Sequence, residues 1–166
     1  AGKEIKNKDL AAMAMSYGYV YVAQVSMGAD YNQTIKAFVE AENYHGPSLV
    51  IAYAPCINHG IKGGMTQAEN EMKRAVEAGY WHTFRFDPRR TLNGENPFQL
   101  DSKAPKADYK EFIGGEVRYS SLTRTFPERA GVLFDKAVEA ANAKYEHLVR
   151  LSKLYEAPED TKKAKK

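Results

Sequence analysis

The sequence predicts an α/β domain: a partial open parallel sheet with flanking helices, followed by a long C-terminal helix. Three observations predict it. Between residues 19 and 86, runs rich in β-branched and aromatic residues alternate with helical stripes in the order strand, helix, strand, helix, strand. That alternation specifies parallel strands joined by crossovers. Glycine, proline and capping residues punctuate the runs where elements of that kind start and stop. Beyond residue 125 one apolar stripe continues almost to residue 155, longer than a three-strand domain needs.

Residues 9–17 read as a helix ending at Gly18. Tyr19-Val20-Tyr21-Val22-Ala23-Gln24-Val25 is the first strand, and Ser26-Met27-Gly28-Ala29 its exit loop. Asp30 and Gln33 form a capping pair, after which Tyr31, Ile35, Phe38 and Val39 fall on one face at helical spacing. Gly46-Pro47 stops that helix, glycine taking the left-handed cap. The apolar run at 48–54 reads as a buried strand. Thr66-Gln67-Ala68-Glu69 is a capping box, with Ala68, Met72, Ala75, Val76 and Gly79 on the stripe behind it. Residues 82–86 are the third strand, closed by Asp87-Pro88.

The stretch from 89 to 110 is turn-rich, with Phe98-Gln99-Leu100 as a short extended piece. A loop this long is usually functional or docks on a neighbour. Residues 108–122 have helical character, with Gly114-Gly115 as a weak point. Thr125-Phe126-Pro127-Glu128 is a further capping box. The stripe Ala130, Leu133, Phe134, Ala137, Val138, Ala141, Tyr145 and Leu148 then runs to near Tyr155, a helix of about 45 Å. The chain thus divides into half of an α/β domain (1–90), an extended loop with a C-terminal helical region (91–157), and a disordered Lys-rich tail (158–166). Three strands are few, and the first helix has no strand before it. The economical reading is the C-terminal half of an α/β domain whose first half lies upstream.

Composition removes several function classes. The net charge of +3 includes Lys162, Lys163, Lys165 and Lys166, and setting those four aside leaves −1. No basic face remains to argue for nucleic acid. No apolar stretch approaches the length of a membrane span, and residues 1–10 lack the apolar core of a secretory signal. One cysteine in 166 residues excludes an internal disulfide framework and fits a cytoplasmic protein.

That cysteine is the candidate of most interest. Cys56 follows the second strand in Pro55-Cys56-Ile57-Asn58-His59-Gly60, and in open α/β sheets chemistry collects at the carboxyl ends of strands. Three readings stay open: a small buried hydrophobe, a nucleophile paired with His59, or a metal or iron–sulfur ligand. Iron–sulfur clusters generally take four thiolates, so a ligand here needs partners from a longer chain. The loop Gly60-Ile61-Lys62-Gly63-Gly64-Met65 resembles an anion cradle but matches no phosphate-binding pattern. His45, His82 and His147 show no metal spacing. Arg85, Asp87, Arg89 and Arg90 read as an anion site or, more simply, a surface ion-pair group.

Three segments carry a resemblance. Tyr17-Gly18-Tyr19-Val20-Tyr21-Val22-Ala23-Gln24-Val25-Ser26-Met27-Gly28, the run from Gly46 through Cys56 to Gly60, and Asn96-Pro97-Phe98-Gln99-Leu100-Asp101-Ser102-Lys103-Ala104-Pro105 are similar to signature segments of pyruvate:ferredoxin (flavodoxin) oxidoreductases, in the right order. The resemblance covers residues 8–154 and matches the C-terminal end of the family's far longer chain: the second half of a thiamine-diphosphate-type domain and the tail beyond it. It implies a cytoplasmic enzyme of anaerobic metabolism that decarboxylates pyruvate on thiamine diphosphate and Mg²⁺, gives acetyl-CoA and CO2, and passes electrons through [4Fe–4S] clusters to ferredoxin or flavodoxin. It further implies a homodimer, and makes Cys56 the remote fourth ligand of the cluster nearest the thiamine. The Mg²⁺–diphosphate motif G-D-G and the ferredoxin-like cysteine runs are absent from this sequence. No catalytic residue is therefore assigned, and the isolated chain is expected to be inactive. A related 2-oxoacid oxidoreductase and a stand-alone docking or dimerisation module are the competing readings.

Overall fold

Asp9 opens α1 (Leu10–Met15) by accepting the Ala12 amide at 3.0 Å, a side-chain cap for an otherwise orphaned donor. The computed structural model describes residues 8–154; the Lys-rich tail and the expected helix end at Tyr155 lie outside the described residues. Gly18 adopts φ +75° and turns the chain into β1 (Tyr21–Val25), all of whose residues are buried. Asp30 caps α2 (Tyr31–Glu42) through the Gln33 amide at 2.9 Å. The Gln33 side chain does not reciprocate; its Nε2 donates to Asp101 Oδ2 at 2.9 Å. Asn43, not Gly46, ends α2, its Nδ2 donating to the Val39 carbonyl.

β2 (Ser48–Ala52) pairs parallel to β1, with Tyr21 opposite Ser48 and Val25 opposite Ala52. β3 (Phe84–Phe86) lies on the other side of β1 and runs antiparallel to it, and β4 (Phe98–Leu100) runs antiparallel to β3. The sheet is open, in the order β2-β1-β3-β4. The α/β class, the flanking helices and the long C-terminal helix are as the sequence predicts. The direction of the third strand is not. The reason lies in α3 (Ala68–Glu77). Its start packs against Gly28, and the Trp81 indole N–H donates to the Val25 carbonyl at 3.0 Å. Both ends of α3 therefore sit at the carboxyl end of β1, and the next strand can only run back.

Two predicted capping boxes do not form. A 3₁₀ turn (Met65–Gln67) precedes α3, so Thr66 is inside it and no side chain caps the helix. Thr125 ends α5 (Val117–Thr125) and its hydroxyl donates back to the Ser121 carbonyl at 3.1 Å. Phe126 takes the N-cap of α6 (Pro127–Ser152). α4 (Tyr109–Gly115) and α5 are separated at Glu116, whose backbone is extended; the Gly114-Gly115 weak point is a real break. α6, about 39 Å long, turns the predicted stripe inward: Ala130 and Leu148 are buried. Asn96 donates from Nδ2 to the Leu151 and Ser152 carbonyls at 2.8 and 3.0 Å, so the long loop holds the C-terminal end of α6.

Both faces of the sheet are covered. On one, Val22, Phe84 and Phe98 pack with Ala11, Ala14 and Leu148. On the other, Tyr21, Ala23 and Val25 pack with Ala37. Arg85 is buried between Asp101, which it grips at 2.8 and 2.9 Å, and Glu40 at 2.6 Å. It is not the surface ion pair that the sequence suggests, and its neighbours Arg89 and Arg90 bind Asp87 and Glu95. No guanidinium of this group is left for an external anion.

Candidate functional site

β2 delivers Cys56. The Tyr53 amide still donates to the Val25 carbonyl at 3.0 Å, so the chain is held to β1 until three residues before the thiol. The Cys56 carbonyl then accepts the His59 and Gly60 amides at 3.2 and 2.9 Å, closing a tight turn, with Gly60 at φ +69°. That left-handed conformation is one glycine adopts freely. The far side of the turn is clamped to the break between α4 and α5. Val117 N–H donates to the Gly60 carbonyl at 3.2 Å, Lys62 N–H donates to the Gly115 carbonyl at 2.9 Å, and Ile61 bridges Glu116.

Beneath the turn lies a buried polar group. The Tyr53 hydroxyl donates to Glu116 Oε1 at 3.3 Å. Burial pushes the Glu116 carboxyl above the usual range; the Tyr53 bond opposes this and the nearby Glu71 carboxylate adds to it. Glu71 is itself buried and accepts from Arg74 at 2.8 Å. Tyr53 stacks on Trp81 and meets Tyr80 edge-on, within a cluster closed by Phe112, Ile113 and Ala75. At the neighbouring strand exit a Cβ on Gly28 would lie 2.4 Å from the Glu69 carbonyl oxygen, so only glycine lets α3 approach this closely.

The second strand and its thiol differ from the buried reading. β2 is an edge strand, with Ser48 and Ala52 exposed and the residues between half-buried. Cys56 is a free, exposed cysteine, which removes the small-buried-hydrophobe reading. His59 shares its turn, but no hydrogen bond joins the two side chains. Among the described residues, no group of three or more His, Cys, Asp or Glu is placed to hold a metal. The glycine-rich loop does not form an anion cradle, because the Gly60, Lys62 and Gly64 amides are spent on Cys56, Gly115 and Ile61 carbonyls.

An exposed cysteine on an anchored turn fits one ligand of an iron–sulfur cluster, thiolate being the ligand such clusters take. The Ile57 and Asn58 amides have no partner among the described residues and are available to cluster sulfurs, whose hydrogen bonds tune potential. The residues present do not fit thiamine diphosphate or Mg²⁺: the sequence has no G-D-G, and in the loop from Gly60 to Met65 the Gly60, Lys62 and Gly64 amides are engaged, leaving no two adjacent amides from Gly60 to Gly64 free for a diphosphate. The Tyr53–Glu116 pair was not singled out by the sequence. Its only sequence signal is that Glu116 directly follows the Gly114-Gly115 break.

Among the described residues no helix is long and apolar enough to cross a membrane. No family model matches the chain. It is 55% identical over 151 residues, 91% of its length, to a pyruvate-flavodoxin oxidoreductase of Klebsiella pneumoniae. It is 56% identical over 151 residues to a pyruvate:ferredoxin oxidoreductase of Moorella thermoacetica, and 45% identical over 150 residues to a mitochondrial pyruvate dehydrogenase (NADP+) of Euglena gracilis. The chain spans 13% of the length of the first two and 8% of the third. The resemblance read from the three signature segments is thus found over nine-tenths of this chain and a small part of each relative, all of them enzymes by name.

Proposed function

We propose, for a chain similar to one segment of the pyruvate-flavodoxin and pyruvate:ferredoxin oxidoreductases, that it forms part of such an enzyme and that Cys56 is one thiolate ligand of a [4Fe–4S] cluster. The other ligands come from the rest of the parent polypeptide. The parent oxidatively decarboxylates pyruvate with CoA to acetyl-CoA and CO2, in the cytoplasm and as a homodimer, with thiamine diphosphate and Mg²⁺ held outside this segment. The two electrons released leave singly through the clusters to ferredoxin or flavodoxin.

The observation that carries this reading is the 55% identity over 91% of the chain. The geometry of Cys56 supports it. An electron-transfer site needs a fixed distance and controlled access of water, because potential follows burial and hydrogen bonding at sulfur. Here the ligand is set by a strand bonded to β1 on one side and by the α4–α5 break on the other. The role of this chain is to hold one sulfur and two amides in place, with residues 1–90 completing a thiamine-diphosphate-type domain and 91–157 bracing it. Pyruvate-dependent reduction of a viologen dye tests the assignment: the parent enzyme reduces the dye and the isolated 166 residues do not. Reduction by the isolated chain would overturn the division of labour.

A further inference from the structure

Two carboxylates lie beneath the Cys56 turn, and one of their oxygens is unspent. Glu71 and Glu116 are 4% and 5% exposed. Glu71 Oε2 accepts from Arg74 at 2.8 Å, but Glu71 Oε1 is buried with no hydrogen-bond partner among the described residues. A buried carboxylate oxygen without a donor is costly, and a proton removes that cost. Gly115, the residue before Glu116, lies against Glu71: a Cβ there would sit 3.7 Å from Glu71 Oε1 and 3.5 Å from Arg74 Nη1.

The groups facing Glu116 come from every element packed around it. Tyr53 donates to it from the exit of β2. Glu71 stands on α3 with its partner Arg74, Arg118 on α5, and His59 on the Cys56 turn itself. Burial and Glu71 favour the neutral carboxyl, while Tyr53, Arg118 and His59 favour the ionised one. A carboxyl in that balance responds to any further charge placed nearby, since little water screens it. Arg74 and Gly115 also line, with Lys62 and Gly63, a depression of about 420 Å³ that brings solvent to the pair.

We propose that Glu116, with Glu71 beside it, is a proton acceptor coupled to electron transfer at Cys56: one proton enters the Glu116 carboxyl as one electron enters the cluster, and leaves as the electron moves on. This rests on the reading of Cys56 as a cluster ligand. The electron comes from pyruvate and passes to ferredoxin or flavodoxin; the proton comes from solvent and returns to it. Proximity to the turn is direct, since Ile61 bridges Glu116 and the Val117 amide donates to the Gly60 carbonyl. An added electron places negative charge at the turn and favours the neutral carboxyl. The reduced enzyme then binds the proton more tightly than the oxidised one, so the cluster's midpoint potential falls as pH rises between the two Glu116 values.

Redox titration of the intact parent enzyme, followed by the electron paramagnetic resonance of its reduced clusters from about pH 5 to about pH 9, tests this. The cluster in question is the one missing from Cys56→Ser. Its midpoint is expected to fall with pH, at most tenfold in the reduction equilibrium per pH unit, or about 59 mV, and to be independent of pH in Glu116→Gln. Tyr53→Phe removes a bond to the ionised carboxyl and is expected to move the sloping range to higher pH. Glu71→Gln removes a like charge and is expected to move it to lower pH, so the two variants report on the pair even if Glu116→Gln does not fold. A midpoint independent of pH in the native parent overturns the proposal. So does a slope that survives in Glu116→Gln, or one that disappears in His59→Asn instead. The iron content of Cys56→Ser separates the two claims. Unchanged iron with a Glu116-dependent slope keeps the proton site and removes the ligand assignment; lost iron with no midpoint responding to Glu116 does the reverse.

Discussion

The Tyr53 hydroxyl donates to Glu116 Oε1 at 3.3 Å, joining the exit of β2 to the break between α4 and α5. Sixty-three positions apart in the chain, these two residues brace the turn that presents Cys56.

Removing that brace has a defined cost. Tyr53→Phe leaves a buried carboxylate without its donor, and a buried group so orphaned loses about 1–3 kcal/mol. The unfolding midpoint in urea is expected to fall accordingly. Glu116→Gln is different. Because burial raises the Glu116 carboxyl, its contribution is present at acid pH and lost as pH rises through its folded-state value. The Gln variant is expected to gain on the native protein at pH 7 and not at pH 4, which thermal unfolding at both values reads.

His82 makes stability depend on pH in the opposite sense. It is buried against Tyr145, with neither ring nitrogen hydrogen-bonded. Burial, reinforced by Lys144, pushes its value from 6.5 down to about 4. The unfolded chain thus binds this proton more readily than the folded one. Stability is complete above pH 6.5 and is lost as pH falls toward 4, by about 3 kcal/mol. In His82→Phe that part of the slope disappears; an unchanged acid limb in the variant would assign it elsewhere.

Arg85 carries the buried charge of the sheet. Arg85→Met leaves Asp101 and Glu40 facing each other without their cation, and breaking a buried pair from one side costs about 3–5 kcal/mol. Arg85→Lys is expected to recover only part, because it loses the two-pronged grip on Asp101. Denaturant titration of both variants gives the two values.

Gly28 is constrained by contact. A methyl group there meets the Glu69 carbonyl oxygen at 2.4 Å, so Gly28→Ala must displace the start of α3. A loss of about 1–3 kcal/mol is expected. A neutral result in thermal unfolding would mean that α3 shifts freely.

Much of this was legible in the sequence where local chemistry decides the outcome. Asp30 caps the helix it precedes, and Gly114-Gly115 breaks one. Phe98-Gln99-Leu100 is a strand, and the α6 stripe faces in. What escaped was set by tertiary context. The β3 direction depends on where α3 ends, which no periodicity encodes. Thr66 and Thr125 carry the capping pattern but fall inside a 3₁₀ turn and a preceding helix. The α2 stripe has the right spacing yet faces out, because the sheet beneath it takes Thr34 and Ala37 instead. For the site, the position of Cys56 at a strand end was readable; its exposure was not, because an apolar strand looks the same at an edge as in a centre.

The most direct test of the central claim is iron and acid-labile sulfide in the purified parent enzyme carrying Cys56→Ser, with pyruvate-dependent dye reduction followed alongside. The account expects one cluster to be lost or made labile, and electron exit to slow while the protein remains folded. Unchanged iron, sulfide and turnover would contradict it and leave Cys56 an exposed thiol with no part in electron transfer.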